Sequence, residues 1–190
     1  KLDLAVYYAL VGDFMLPHLF NRPVTLVRSP SGKVEDIFYQ RHPFTGMPKS
    51  VASFELKNSE GEDKRYISIE DAKGFLALAQ FGVIEFHTWG SRRAHLEKPD
   101  RIVFDLDPGE GISWRDIVAS ARQVRAVLER VGVVPFVKTS GGKGLHVVVP
   151  LQPRLTWKQI HAATGDLATL IAAENPDTFT TNRAKDKRRR

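Results

Sequence analysis

Two acidic side chains, Asp105 and Asp107, end the apolar run Ile102-Val103-Phe104 and stand just before Pro108. In an extended strand, residues i and i+2 share a face, so both carboxylates point the same way, about 7 Å apart. Carboxylates held side by side repel unless a cation lies between them. Hard divalent ions take oxygen ligands, and two such ions about 4 Å apart suit phosphoryl or nucleotidyl transfer. The competing reading is a strand end whose solvated acids lead into a Pro-Gly turn.

A second cluster is Lys138-Thr139-Ser140-Gly141-Gly142-Lys143-Gly144-Leu145-His146. Three glycines and a serine between two strands permit close backbone approach and leave N–H groups free. Lys143 adds charge, so the turn could cradle a phosphate. Walker spacing is absent and a strand follows, so this is no P-loop. A plain glycine hairpin is the other reading. His146 alternates away from Leu145, Val147 and Val149, which puts it on the same open face as the carboxylates.

Two weaker signals lie earlier in the chain. His87 and Trp89 share a strand face in Glu85-Phe86-His87-Thr88-Trp89-Gly90, where a histidine can equally be structural. Phe38 and Tyr39, followed by Arg41 and His42, could stack on a base and hold a phosphate. One aromatic of such a pair can instead belong to the core.

The elements that position these groups are legible in the second half. Arg101–Asp107 reads as a strand. Ser113 caps a helix to about Arg130, with Ile117, Ala121, Val124 and Leu128 on one face. Val133–Lys138 and Leu145–Leu151 are strands around the glycine turn, and Thr156 starts a helix to about Ala173. The order β-α-β-β-α is one strand short of the ferredoxin-like unit. Such a sheet, with both helices on one face, leaves the other face open to a ligand. The first half is less regular. Residues 1–20 predict a helix whose apolar face is Leu2, Val6, Ala9, Leu10 and Phe14. Strands are expected at Val24–Val27, Asp36–Gln40, Tyr66–Ile69 and Val83–Trp89, and a helix at Asp71–Gln80. Residues 42–63, rich in Pro, Gly, Ser and charge, predict an irregular excursion.

Composition bounds the rest. The 190 residues are 42% hydrophobic and 26% charged, which is ordinary globular composition. No cysteine is present, so disulfides and thiolate zinc sites are excluded. No apolar run approaches the roughly 20 residues of a membrane span. The net charge of +6 is concentrated in Arg183–Arg190, and residues 1–182 carry only +1. Nucleic-acid binding by the body must therefore rest on sites and not on bulk charge. The chain starts at Lys1 inside a predicted helix, which reads as a piece of something longer.

Taken together, Asp-Leu-Asp-Pro, Lys-Thr-Ser-Gly-Gly-Lys-Gly-Leu-His and His-x-Trp-Gly closely resemble the polymerase domain of bacterial ATP-dependent ligase D. That primase-polymerase module of non-homologous end joining belongs to the archaeo-eukaryotic primase superfamily. The resemblance runs along essentially the whole chain and includes Lys1-Leu2-Asp3-Leu4 and Asn21-Arg22-Pro23. It implies an α+β fold: a primase-like palm with a ferredoxin/RRM-like β-α-β-β-α core, plus an N-terminal α/β subregion. The expected layout is one domain over 1–190, with a DNA-end-binding subregion at 1–95, a catalytic core at 96–182 and a basic tail at 183–190.

By the same resemblance, Asp105 and Asp107 are the catalytic carboxylates and bind two Mn2+ or Mg2+ ions. His87, Ser140 and His146 contact the nucleotide triphosphate, and strand parity adds Lys138, with Lys143 in the turn. Phe38 and Tyr39 stack on template DNA beside Arg41, and Lys1 helps hold a 5′-phosphate. The implied activity is template-directed addition of NTPs, ribonucleotides preferred over dNTPs, at double-strand-break ends and short gaps. Implied partners are 5′-phosphorylated DNA ends, Ku and a ligase domain in cis or in trans, with no membrane. The implied location is the bacterial cytoplasm, at the nucleoid. The family's third metal-binding Asp and the strand that closes the sheet are expected past Arg190. A catalytically incomplete DNA-end-binding module is the alternative function.

Overall fold

Tyr8, Gly12 and Leu19 line the buried side of the first helix, α1 (Leu2–Leu19). The structure, a computed structural model, describes residues 1–57 and 60–181. It divides into two compact units, Lys1–Leu96 and Glu97–Arg190. In the first unit, Leu4, Ala5, Val11, Met15 and Leu16 complete the packed side of α1. The expected apolar face is therefore a correction, because Leu2, Val6, Leu10 and Phe14 are exposed. The helix carries apolar residues on more than one side, so helical period alone does not choose between them. The buried side is the one where α1 meets α2 (Ala72–Ala79): a Cβ at Gly12 would already touch Phe75 at 3.5 Å. Asp71 caps α2, its carboxylate accepting from the Gly74 N–H at 2.9 Å.

These helices cover one face of a three-stranded sheet. Its central strand β1 (Val24–Arg28) pairs antiparallel with β2 (Phe38–Gln40) and β5 (Val83–Thr88). Val24, Leu26, Phe75, Leu78 and Val83 form the core beneath it. The buried Tyr8 hydroxyl donates to the Val83 carbonyl at 2.7 Å, tying α1 to β5. The predicted irregular excursion is a second correction. Within it β3 (Ala52–Lys57) pairs with β4 (Asp63–Ser68) as a hairpin. Phe54 and Tyr66, opposite each other, are its buried anchors. Gly61 lies between the two strands, and the charged Glu55, Lys57, Asp63 and Lys64 on them are exposed.

The second unit has the expected order: β6 (Arg101–Leu106), α3 (Trp114–Arg130), β7 (Phe136–Thr139), β8 (Leu145–Pro150) and α4 (Trp157–Glu174). Reciprocal capping boxes start both helices, Ser113 with Asp116 and Thr156 with Gln159. The sheet order is β6-β8-β7, with β8 antiparallel to both neighbours. Ile102, Phe104 and Leu106 of β6 and Leu145, Val147 and Val149 of β8 face the helices. There they meet Ile117, Val124, Leu128 and Ile171. A clamp from Arg130 Nη2 to Glu174 Oε2 (2.6 Å) joins the C-terminal ends of α3 and α4. The closing strand and third carboxylate, expected past residue 190, and the basic tail at 183–190 lie outside the described residues. Among the described residues no helix is long and apolar enough to cross a membrane.

Candidate nucleotidyltransfer site

Alternation along β6 and β8 decides which side chains meet on the open face. Because Phe104 and Leu106 turn to the helices, Val103, Asp105 and Asp107 are left exposed. Register then sets Asp105 opposite His146, and His146 opposite Lys138 on β7. The three side chains form one cross-strand row, with Asp105 Oδ1 3.6 Å from His146 Nε2. Burial, then the neighbouring Lys138 charge, lower the His146 pKa below its ordinary value, and Asp105 pulls the other way. The net shift favours the neutral imidazole, which has one N–H to donate.

The glycine turn closes against the end of β6. An ideal Cβ on Gly144 would fall 2.3 Å from the Leu106 carbonyl oxygen, so only glycine allows this approach. Gly141 has φ +87°, in the left-handed region. The Ser140 hydroxyl donates to the Gly144 carbonyl at 3.0 Å and accepts from the Gly142 N–H at 3.4 Å. Ser140 therefore shapes the turn as well as standing at its mouth, and Lys143 is an exposed cation within it.

In the first unit, adjacent Phe38 and Tyr39 point to opposite faces of β2. Phe38 lies 5.0 Å from the Arg28 guanidinium, which also sits over Phe44 at 4.3 Å. Tyr39, 67% exposed, meets the His87 ring edge-on at 6.0 Å. The two aromatics are therefore not one continuous stacking surface. Trp89 packs on Tyr66, with ring centroids 5.5 Å apart. Lys1 precedes α1 and Arg41 follows β2, both exposed. The motif reading passes over Glu85, whose Oε2 is 2.6 Å from His87 Nε2. Its signal was the shared parity of residues 85 and 87 on one strand.

The profile of the family described as "LigD, primase-polymerase domain" matches residues 1–190. The chain belongs to that family. The multifunctional non-homologous end joining protein LigD of Pseudomonas aeruginosa is 34% identical over 179 residues, covering 94% of this chain and 21% of its own. The bifunctional LigD of Bacillus subtilis is 32% identical over 188 residues, covering 96% of this chain and 29% of its own. The chain thus spans between a fifth and a third of these relatives. A solved structure, the polymerase domain of Mycobacterium tuberculosis ligase D in complex with DNA, superposes with a TM-score of 0.88 at 30% identity. It covers 98% of this chain and 67% of that one.

LigD primase-polymerase domains are nucleotidyltransferases with a primase-like fold, and as polymerase domains they depend on divalent metal. The donor set here fits that requirement. Asp105 and Asp107 are exposed hard oxygen ligands on an open face. Among the described residues, no three His, Asp or Glu side chains cluster as a ready-made metal cage.

Proposed function

We propose that this chain carries out template-directed nucleotidyl transfer at DNA ends, with Asp105 and Asp107 as its catalytic carboxylates. The observation that carries this reading is the cross-strand row Asp105–His146–Lys138 beside a glycine turn on an otherwise open sheet face. Acids facing a phosphate repel it, so a surface that only bound DNA would gain nothing from Asp105 and Asp107. Two divalent ions on these carboxylates, Mn2+ or Mg2+, would neutralise charge on the transferring phosphate and activate the attacking hydroxyl.

The remaining groups bind and orient. Neutral His146 donates an N–H to a phosphate oxygen, and Lys138 supplies a positive charge next to it. Lys143, Ser140 and the turn's backbone N–H groups hold the outer phosphates. His87 is assigned a triphosphate contact on the family resemblance. Tyr39, Phe38, Arg41 and Lys1 are assigned to DNA, with Lys1 on a 5′-phosphate. The relatives' names support a role in non-homologous end joining. On that basis we assign ribonucleotide addition at breaks and short gaps, partnership with Ku and a ligase domain, and a cytoplasmic, nucleoid-associated location.

The test is primer extension on a 5′-phosphorylated gapped duplex by the full-length protein with Mn2+. Asp107→Ala should extend at least 100-fold more slowly while keeping end affinity. Extension at the wild-type rate would leave DNA-end binding as the function of this chain.

A further inference from the structure

The strand that carries His87 holds a second polar side chain on the same face. Phe86 turns to the core, where its ring packs against Tyr8 and Phe75. Glu85 and His87, on either side of it, therefore face away from the helices. Glu85 Oε2 lies 2.6 Å from His87 Nε2, and among the described residues no Lys or Arg pairs with that carboxylate. Register puts Tyr39, the buried Val27 and Glu85 in one cross-strand row. The Tyr39 ring meets the imidazole edge-on at 6.0 Å. His87 is thus held from two sides, by a carboxylate on one nitrogen and by an aromatic ring.

Both side chains of the contact are about half exposed, so as an ion pair it adds little to stability. Its consequence lies in what His87 can donate. An ionised carboxylate only accepts, so the Nε2 that meets Glu85 carries the proton. Nδ1 is the nitrogen left for a ligand. A neutral ring protonated on Nε2 offers a lone pair there, which a phosphate oxygen repels. The doubly protonated ring donates from Nδ1 instead, and a carboxylate on the other nitrogen is the counter-charge that suits it. A carboxylate near a phosphate that did not act through a neighbour would only repel it.

We propose that Glu85 is a positioning residue for nucleotide binding: it holds Nε2 of His87 so that the Nδ1–H of the imidazolium donates to the triphosphate. Tyr39, packed against the ring, limits the orientations left to it. This rests on the reading of His87 as a triphosphate contact. The two readings of Glu85 predict opposite signs. A solvated acid beside the phosphates lowers affinity, and its removal tightens binding. An acid that orients the donor raises affinity, and its removal weakens binding.

The experiment uses the full-length protein with Mn2+ and a 5′-phosphorylated gapped duplex. It measures KM and kcat for ATP, and the affinities for inorganic tripolyphosphate and for the DNA end. Glu85→Ala should raise the ATP KM at least about 5-fold and weaken tripolyphosphate by a similar factor. Its kcat and its DNA-end affinity should stay within about twofold of wild type. Glu85→Asp, which keeps a charged acceptor on the same face, should recover part of the loss. In a His87→Ala background, Glu85→Ala should cause no further weakening. Glu85→Ala that binds ATP as well as wild type, or more tightly, would overturn the proposal. So would an equal loss with and without His87, because Glu85 would then act apart from the imidazole. Lost DNA-end affinity or a lowered melting temperature with ATP unchanged would assign Glu85 to DNA or to the fold, and overturn it too. His87→Ala alone is the control for the underlying reading. If it weakens neither ATP nor tripolyphosphate, the triphosphate role of His87 fails and the proposal with it. If it weakens both while Glu85→Ala weakens neither, the proposal alone fails.

Discussion

Asp105 stands opposite His146 across the β6–β8 pair, its Oδ1 3.6 Å from the imidazole Nε2, and Lys138 flanks the histidine on its other side. An acid, an imidazole and a cation thus stand at successive strand spacings, where the proposed function uses them as metal ligand, hydrogen-bond donor and counter-charge. Asp105→Asn keeps the shape of the side chain and removes its charge. It should reduce nucleotide addition by at least 100-fold with Mn2+ present, with less than a 3 °C change in melting temperature. Single-turnover extension beside a thermal melt checks both.

His146→Ala should raise the NTP requirement more than it weakens end binding. One hydrogen bond to a charged group is worth about 1.5–3 kcal/mol, or roughly 10- to 150-fold in affinity. Lys138→Ala removes one of the two influences that lower the His146 pKa. The imidazole in that variant should titrate at higher pH than in the wild type, as read by NMR. An unchanged titration would mean the two side chains do not share a row.

Gly144→Ala would drive a methyl group into the Leu106 carbonyl. Relief requires the turn and the end of β6 to separate, which overpacking data put at about 1–3 kcal/mol. The melting temperature should fall, and nucleotide affinity should fall with it because Asp107 directly follows β6. Gly111→Ala, where nothing lies within 4 Å of the new carbon, is the comparison. It tests the left-handed backbone alone and should leave nucleotide affinity unchanged.

Asp36 gives a pH-dependent stability term. Hydrogen bonds from the Ser31 and Ser29 side chains and the Ser31 N–H hold its carboxyl below the ordinary value. The Ser29 hydroxyl donates at 2.7 Å and the Ser31 N–H at 2.6 Å. A carboxyl depressed in the folded state stabilises above its unfolded pKa of about 3.9 and loses that effect as pH falls through the folded value. The stability gap between wild type and Asp36→Asn, measured by urea unfolding, should be constant above about pH 5 and shrink below about pH 4. A gap that stays constant down to pH 2 would refute the assignment.

Tyr8→Phe deletes the hydroxyl that satisfies the Val83 carbonyl in the core. Leaving that carbonyl unpaired should cost about 1–3 kcal/mol, read as a lower denaturation midpoint with an unchanged slope.

Much of the second unit was legible in the sequence because its signals are local. Ser113 and Thr156 stand three residues before Asp116 and Gln159, and the capping boxes form there. Ile117, Ala121, Val124 and Leu128 repeat at the spacing of one buried helix face. Strand parity separates Asp105 from Phe104 and His146 from Val147, with no knowledge of any partner strand. The first unit was harder to read, since its decisive contacts are distant in sequence. The side of α1 that is buried depends on Phe75 and Val83, some 65 to 75 residues away. The β3–β4 hairpin becomes visible once Phe54 finds Tyr66. The same limit holds at the site. Sequence determined which residues share a face, because a strand's period is local. Tertiary structure alone decided that Asp105, His146 and Lys138 fall in one row. Register between strands is set by the glycine turn and the shared core, and no single strand encodes it.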